Sequence, residues 1–171
     1  MRRILALGAF IVLSLSIFVI GSCSQEATGP IVASDFTLET LDGQKVSLSG
    51  MTSSKETILV FWATWCPYCR EELPAIQEFY NQNKNKIEVL GISVGESKNQ
   101  VQSYLNKAGI TFPMAIDSDQ TVARAFNVSG IPTIIVVDKS LNIVYYGHSM
   151  VEMLERIMTN VSNMEGSQQN N

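Results

Sequence analysis

Cys66 and Cys69 lie two residues apart in the stretch FWATWCPYC, directly behind a tryptophan. Cysteines with this spacing can bind a metal, attach a haem or exchange electrons as a reversible disulfide. A structural zinc site needs about four Cys or His ligands, but the chain otherwise offers only His148 and Cys23, which belongs to the N-terminal leader. Covalent haem needs Cys-x-x-Cys-His, whereas Arg70 follows the second cysteine. The residues favour redox chemistry, with no metal and no cofactor beyond the disulfide itself.

The chain around the pair predicts a reactive thiol. An apolar run of strand length precedes it and a helical pattern follows, with Pro67 in the first turn, where no N–H is needed. A helix N-terminus stabilises an anion, so we expect the pKa of the Cys66 thiol to be lowered. Cys66 is then the exposed nucleophile, and Cys69, one turn further on, is buried and resolves the mixed disulfide. An inert structural bridge is the alternative, although such bridges usually close longer loops.

Hydrophobic patterns place this pair in one α/β domain with a mixed central sheet flanked by helices. A hairpin is predicted around Asp42-Gly43, and the helix that carries the cysteines is expected to kink at Pro74. The predicted strands are 57–63, 87–94, 112–116, 133–138 and 143–147. The predicted helices are 67–82, 96–108, 119–126 and 150–161.

Two groups of motifs resemble a known family. FWATWCPYC, Pro74 five residues after the second cysteine, and SGIPT at 129–133 together resemble the thioredoxin superfamily. The hairpin DFTLETLDGQKVSLS and the extra strand and helix in VGESKNQVQSYLNKAGITFPMAIDSDQ resemble its TlpA/ResA-like branch, which has a redoxin (AhpC/TSA-like) domain. The resemblance covers about residues 33–161. It implies a thioredoxin-like fold and a membrane-attached thiol–disulfide oxidoreductase outside the cytoplasm.

The resemblance also implies roles for individual residues. Cys66 is the attacking thiol and Cys69 the resolving one. Pro132 matches the family's cis-proline, which would bring the backbone of Ile131 beside Cys66, where a substrate strand can pair with it. The residues expected to contact substrate are Trp65, Pro67, Tyr68, Ile131 and Pro132.

Glu72 is a candidate proton acceptor. Thioredoxin carries a buried aspartate at the position of Val60, whereas ResA-like members place a glutamate three residues after the second cysteine, as Glu72 is here. Residues i and i+3 lie on one side of a helix, so Glu72 could exchange a proton with Cys69. The alternative is a solvated surface glutamate, and Glu71 is a weaker candidate. His148 is predicted to be a histidine of a surface loop.

The N-terminus predicts export. Residues 1–22 have a basic start, an apolar run and small residues, as a signal peptide has. The sequence Ile-Gly-Ser-Cys that ends at Cys23 resembles a lipobox, so Cys23 is expected to be lipidated; an uncleaved anchor is the alternative. Both place the domain outside the cytoplasm. Residues 23–32 are interpreted as a tether, 33–163 as the thioredoxin-like domain and 164–171 as a disordered tail.

The composition and net charge of the chain limit the classes of partner that we expect. With 46% hydrophobic and 16% charged residues, the chain suits one globular domain with its own core. A net charge of −4 and the lack of a basic patch argue against a nucleic-acid partner. We expect a monomer that meets protein thiols and disulfides. Because no NADPH system reaches a compartment outside the cytoplasm, we expect a transmembrane thiol–disulfide protein as the electron donor.

Several functions fit this pattern. The first is a protein-disulfide reductase for exported proteins, with apocytochrome c maturation as one role implied by the resemblance. A disulfide oxidase or isomerase is the second, because the dipeptide between the cysteines tunes the potential and here is the glutaredoxin pair Pro67-Tyr68. A peroxiredoxin-like peroxidase is the third, although Thr64 stands one place from the expected position. The fourth is a binding module that uses the fold as a scaffold.

Overall fold

The long apolar run after Lys55 forms the central strand of a five-stranded sheet in the computed structural model, which describes residues 29–156. The strands in this part of the chain are β1 (Thr37–Glu39), β2 (Lys45–Ser47), β3 (Glu56–Trp62), β4 (Ile87–Val94), β5 (Met114–Asp117), β6 (Thr133–Val137) and β7 (Ile143–Gly147). The helices are α1 (Leu48–Thr52), α2 (Pro67–Asn83), α3 (Lys98–Ala108) and α4 (Thr121–Ala125). Residues 150–156 are also helical.

The sheet is mixed and has the strand order β5-β4-β3-β6-β7. Its centre, β3, pairs in parallel with β4 and antiparallel with β6, so that Val60 lies between Gly91 and Ile134. A strand with neighbours on both edges and cover on both faces is buried along its length and mostly apolar, which explains the continuous run of buried residues from 57 to 62. The predicted mixed central sheet flanked by helices is confirmed.

Two apolar cores cover the two faces of the sheet. Successive side chains of a strand point to opposite faces, so Val60 and Trp62 join the cluster that contains both cysteines and the buried residues of α2 and α3. Leu59 and Phe61 join the second cluster, with buried residues of α1 and α4. Each such fully buried side chain contributes about 1.5–3 kcal/mol of transfer free energy. The cysteine pair therefore sits on one face of a sheet held in place from both sides.

Element boundaries differ from the predictions by two or more residues in four places, the first of which is β5, predicted at 112–116 and found at Met114–Asp117. The hairpin turn at Asp42-Gly43 is confirmed, with Gly43 at a φ of 84°, but β2 ends at Ser47. The Ser47 side chain accepts a hydrogen bond from the Gly50 N–H at 3.1 Å and so begins α1, which the sequence patterns did not predict. The third helix begins at Lys98 rather than Glu96, because Ser97 and Gln100 form a capping box there. The fourth is shorter than predicted and spans Thr121–Ala125.

The first described residues pair with the edge of the sheet. The Ile31 carbonyl accepts a hydrogen bond from the Ile143 N–H at 2.7 Å, and Val32 forms a β-bridge with Asn142. These two residues, assigned to the tether from the sequence, thus meet β7. The predicted signal peptide, Cys23 and the tail at 164–171 lie outside the described residues. Within residues 29–156, no helix has the length and hydrophobicity to span a bilayer.

Candidate active site

The two cysteines lie where β3 gives way to α2. Cys66 is the N-cap residue of α2, and its Sγ accepts a hydrogen bond from the Cys69 N–H at 3.1 Å. The two residues are joined by a disulfide, with their Cα atoms 5.3 Å apart. Pro67 occupies the first helical position, as predicted, and α2 runs on through Pro74. The strand-to-helix junction therefore presents both sulfurs at the helix N-terminus, where N–H groups are unpaired within the helix.

The predicted difference in exposure between the two cysteines is wrong for this disulfide form. Cys66 is 3% exposed and Cys69 is 1% exposed. The N-cap position turns the Cys66 Sγ towards the Cys69 N–H and towards the backbone of Ile131. The flanking aromatic residues are the ones in solvent, with Trp65 66% and Tyr68 71% exposed. A partner protein would meet these two rings before it reached the sulfur.

The Ile131–Pro132 peptide bond is cis, as predicted, and it brings a distant loop against the cysteines. The Cys66 Sγ lies 3.5 Å from the Ile131 carbonyl oxygen. Just after the proline, the Thr133 hydroxyl donates a hydrogen bond to the Gly130 carbonyl at 2.6 Å and closes the turn. The backbone of Ile131 is thus beside the disulfide, where the sequence placed it.

His148 lies in the loop after β7, as predicted, but it also contacts the loop that carries Pro132. Its side chain is exposed, as predicted, but its Nδ1 lies 2.7 Å from the Pro132 carbonyl oxygen and 3.3 Å from the Thr133 hydroxyl. A carbonyl only accepts, so Nδ1 carries the hydrogen and Nε2 is the acceptor of the neutral ring. The antiparallel pairing of Ile134 with Gly147 brings His148 to the proline. That register was the signal that sequence reasoning missed.

A cavity of about 320 Å³ opens beside the proline. One wall comes from the first turns of α2, on which residues i, i+3 and i+4 share a face. The other comes from the proline loop and the residue after β7. The lining residues are Tyr68, Glu71, Glu72, Gly130, Ile131, Pro132 and His148. Four of the predicted site residues, Tyr68, Glu72, Ile131 and Pro132, therefore meet here, in a cavity that carries two carboxylates and one imidazole.

Glu72 is half-buried and joins α2 to the C-terminal helical segment. Its Oε2 accepts a hydrogen bond from the Met150 N–H at 3.0 Å, at the start of helical residues 150–156. Below it, Tyr145 donates to the Ser149 carbonyl at 3.3 Å. Burial raises the pKa of Tyr145 above its usual value, and the charges of Glu152 and Glu72 add to the rise. One Glu72 oxygen thus has a structural partner, and the proton-acceptor role stays a prediction.

A second carboxylate, which the sequence analysis assigned to a helix, supports the cysteine loop. Glu96 is 5% exposed and lies between the end of β4 and α3. It accepts hydrogen bonds from the Thr64 N–H at 2.8 Å, the Thr64 hydroxyl at 2.5 Å and the Ser93 hydroxyl at 3.0 Å. Across residues 29–156 no group of three or more His, Cys, Asp or Glu side chains is arranged to hold a metal ion.

Comparisons with known proteins agree with this geometry. A family model described as the AhpC/TSA family matches residues 32–146. The thiol-disulfide oxidoreductase ResA of Geobacillus kaustophilus is 38% identical over 109 residues, which are 63% of this chain and 62% of that protein. ResA of Bacillus thuringiensis is 31% identical over 133 residues, 76% of each chain. The crystal structure of a thiol:disulfide interchange protein from Chlorobium tepidum is 31% identical, with a TM-score of 0.65 over 77% of this chain and 95% of that one. The fold is thioredoxin-like.

Proposed function

We propose that this protein reduces disulfides in exported proteins. The chain belongs to the AhpC/TSA family and is homologous to the ResA thiol-disulfide oxidoreductases. The chain spans about three fifths of the length of the first ResA relative, so the activity is inferred from the site itself. The observation that supports the proposal most directly is the Cys66–Cys69 disulfide at the start of α2, with the Cys66 Sγ 3.5 Å from the Ile131 carbonyl oxygen. A reversible disulfide in this position is the oxidised half of a dithiol couple.

The reaction begins from the dithiol. The Cys66 thiolate attacks one sulfur of a substrate disulfide, the substrate S–S bond breaks, and the first substrate sulfur leaves as a thiol after taking a proton. Cys69 then loses its proton and attacks the Cys66 Sγ. The mixed disulfide breaks, the second substrate sulfur leaves as a thiol, and the Cys66–Cys69 disulfide forms. Two electrons and two protons pass from the protein to the substrate.

Geometry supports a docking mode for the substrate. The backbone of Ile131 lies beside the sulfur, so an extended substrate segment can pair with it as an added strand. Trp65 and Tyr68 are exposed on the helix side and supply apolar contact area. Glu72 lines the same cavity one turn beyond Cys69, and we assign it the proton that Cys69 must lose. A general base in reach of its proton contributes about 10²–10⁴-fold to the rate.

The cellular setting follows from the sequence rather than from the fold. We infer that residues 1–22 direct export and that Cys23 carries a lipid, which holds the domain at the outer face of a membrane. A transmembrane thiol–disulfide protein would then return the pair to the dithiol. Apocytochrome c, with the two cysteines of its Cys-x-x-Cys-His motif, is one substrate we propose. The protein would act as a monomer.

Measurement of the reduction potential tests the direction of electron flow. The full chain in detergent would be equilibrated against thiol buffers of defined potential, and the Cys66–Cys69 state read by alkylation and mass spectrometry. We expect about −250 mV or lower, the range of thioredoxin. A value above about −150 mV, closer to the potential of the strongly oxidising DsbA, would instead support the disulfide oxidase function. That alternative is open because the dipeptide between the cysteines, Pro67-Tyr68, tunes the potential. The Cys69→Ser variant, which cannot close the disulfide, is the control for the alkylation pattern.

A further inference from the structure

Glu96 is a buried acid that the reaction above does not use. Acidic side chains are almost never fully buried unless they are paired, yet Glu96 is only 5% exposed. It follows Gly95, whose φ of 72° turns the chain at the end of β4. The Gly95 N–H bonds to the Asp117 carbonyl at 3.0 Å, which fixes this turn to β5. The turn that carries Glu96 is therefore fixed between β4 and β5.

The partners of the Glu96 carboxylate are all neutral donors. They are the Thr64 N–H, the Thr64 hydroxyl and the Ser93 hydroxyl, at 2.5–3.0 Å. The Thr64 N–H can only donate, and hydroxyl hydrogens rotate to suit a carboxylate. In residues 29–156, the hydrogen bonds made to this carboxylate thus distribute its negative charge without neutralising it.

The Glu96 carboxylate bonds to the turn that leads into the reactive cysteine. Thr64 is separated from Cys66 by one residue, and the Cys66 N–H bonds back to the Ala63 carbonyl at 3.2 Å. Residues 63–66 therefore form a tight turn, and Glu96 bonds to both the backbone and the side chain of that turn. Salt screens interactions between buried or partly buried charges much less than those between exposed charges. Both Glu96 and Cys66 are buried, at 5% and 3% exposure, so the charge of the carboxylate opposes formation of the Cys66 thiolate.

We propose that Glu96 is a positioning residue that makes the Cys66–Cys69 dithiol a stronger reductant. The couple is disulfide plus two electrons and two protons giving the dithiol. A group that stabilises the reduced thiolate form makes the couple more oxidising, as in DsbA. The Glu96 carboxylate does the opposite, because it repels the Cys66 thiolate while its hydrogen bonds hold the Thr64 turn in place. The N-terminus of α2 stabilises the thiolate, and Glu96 offsets part of that stabilisation.

The inference rests on the proposed function but is tested separately from it. The absolute potential of the wild-type protein tests the direction of electron flow. The difference between the potential of a variant and that of the wild type tests Glu96, whichever direction the wild type favours. Glu71, Glu72 and His148, the titratable side chains of the cavity beside the proline, stay unchanged in the variants compared.

The experiment compares three variants of the full chain at pH 7 in thiol buffers. Glu96→Gln keeps the shape but removes the charge, and we expect a three- to tenfold shift of the equilibrium towards the dithiol, about 15–30 mV. Thr64→Val keeps the charge and removes one donor, so the carboxylate is less well compensated; we expect a shift of about twofold or more towards the disulfide. Glu88→Gln is the control, because Glu88 pairs with Lys55 at 2.7 Å at the opposite end of β4. Its potential should equal that of the wild type.

The outcomes separate charge from mere support of the loop. A rise in potential for both Glu96→Gln and Thr64→Val would overturn the proposal, since losing the hydrogen bonds would then suffice. An unchanged potential in Glu96→Gln would also overturn it. If circular dichroism shows that Glu96→Gln does not fold, Thr64→Val decides: a shift towards the disulfide supports the proposal, and no shift or the opposite shift rejects it.

Discussion

The cysteine pair is held from two sides that differ in how far their contacts reach along the chain. On the helix side, formed by Thr64 to Cys69, the Cys66 Sγ accepts from the N–H of Cys69, only three residues on. On the proline side, formed by residues 130–133 and His148, the same Sγ meets a carbonyl 65 residues away. The first side supplies both sulfurs of the redox couple and the exposed rings of Trp65 and Tyr68, and the second supplies the backbone with which we propose that a substrate strand pairs. We therefore expect changes on the proline side to alter substrate affinity without altering the reduction potential.

Glu72 is where this separation should fail most clearly, because it stands on α2 but bonds to the N–H of Met150, two residues beyond His148. Glu72→Gln keeps an oxygen for that N–H and removes the carboxylate. We expect turnover with a disulfide peptide to fall about 10²-fold, through a slower resolving step, and the melting temperature to stay near that of the wild type. Stopped-flow release of the substrate thiol would measure the step.

Glu72→Ala removes both functions of the side chain. We expect the same loss of turnover and a further loss of about 1 kcal/mol of stability, as for other helix N-terminal acceptors. Glu78→Gln, an exposed glutamate two turns further along α2 that bonds to Gln82 at 3.3 Å, serves as the control. Full turnover in Glu72→Gln would mean that Glu72 only caps the last described helical segment.

His148 offers a smaller change that should affect the proline side alone. Its Nδ1 lies 2.7 Å from the Pro132 carbonyl, and the amide nitrogen of an asparagine can take that place. We expect His148→Ala to raise KM for a disulfide peptide about three- to tenfold, the effect of one net hydrogen bond, and to leave the reduction potential unchanged. His148→Asn should restore KM. Steady-state kinetics over a range of peptide concentrations separates KM from kcat.

A different result would assign His148 to the chemistry. If kcat fell equally in His148→Ala and His148→Asn while KM held, then the acceptor at Nε2, which asparagine does not replace, would be taking part in proton transfer. The two sides would then share the catalytic work.

The same contrast decides what could be predicted from the sequence. The cysteine motif, the first turn of α2 and the cis bond before Pro132 depend on short stretches of chain, and the structure has them as predicted. Glu96 stood at the start of a helical pattern, and its bonds to Thr64 span 32 residues. No local pattern contains such a contact. It exists only because β3 and β4 run in parallel and end side by side.

His148 was underestimated for a similar reason. Its contact with Pro132 needs the register of β6 against β7, which includes an irregularity between Val136 and Val137. A sequence pattern predicts that a hairpin forms, but a shift of one residue moves every side chain to the other face. The contact of His148 with Pro132 therefore needed a structure, whereas the cis bond before Pro132 did not.

The smallest effect is expected from a substitution of Asp138, which tests what sets the register of β6 against β7. It lies in the β6–β7 turn, where its Oδ1 accepts from the Ser140 N–H at 2.8 Å and the Asn142 N–H at 2.9 Å, while its Oδ2 accepts from the Asn142 amide at 3.0 Å. The side-chain hydrogen bond from Asn142 is the largest cause that holds the pKa of Asp138 below its usual value, and the backbone bonds add to it. The native turn therefore favours the ionised form.

The sign of the pH dependence follows from this lowered pKa. The native state binds fewer protons than the unfolded state, so the stabilisation is present above the unfolded pKa of about 3.9 and is lost as the pH falls through the lower native value. As the pH is lowered below about 4, we expect the urea concentration at the midpoint of unfolding to decrease more steeply for the wild type than for Asp138→Asn. Because β7 carries His148 to Pro132, the variant should also raise KM slightly at pH 7. An unchanged KM with a changed acid profile would mean that strand pairing alone holds the proline side in register.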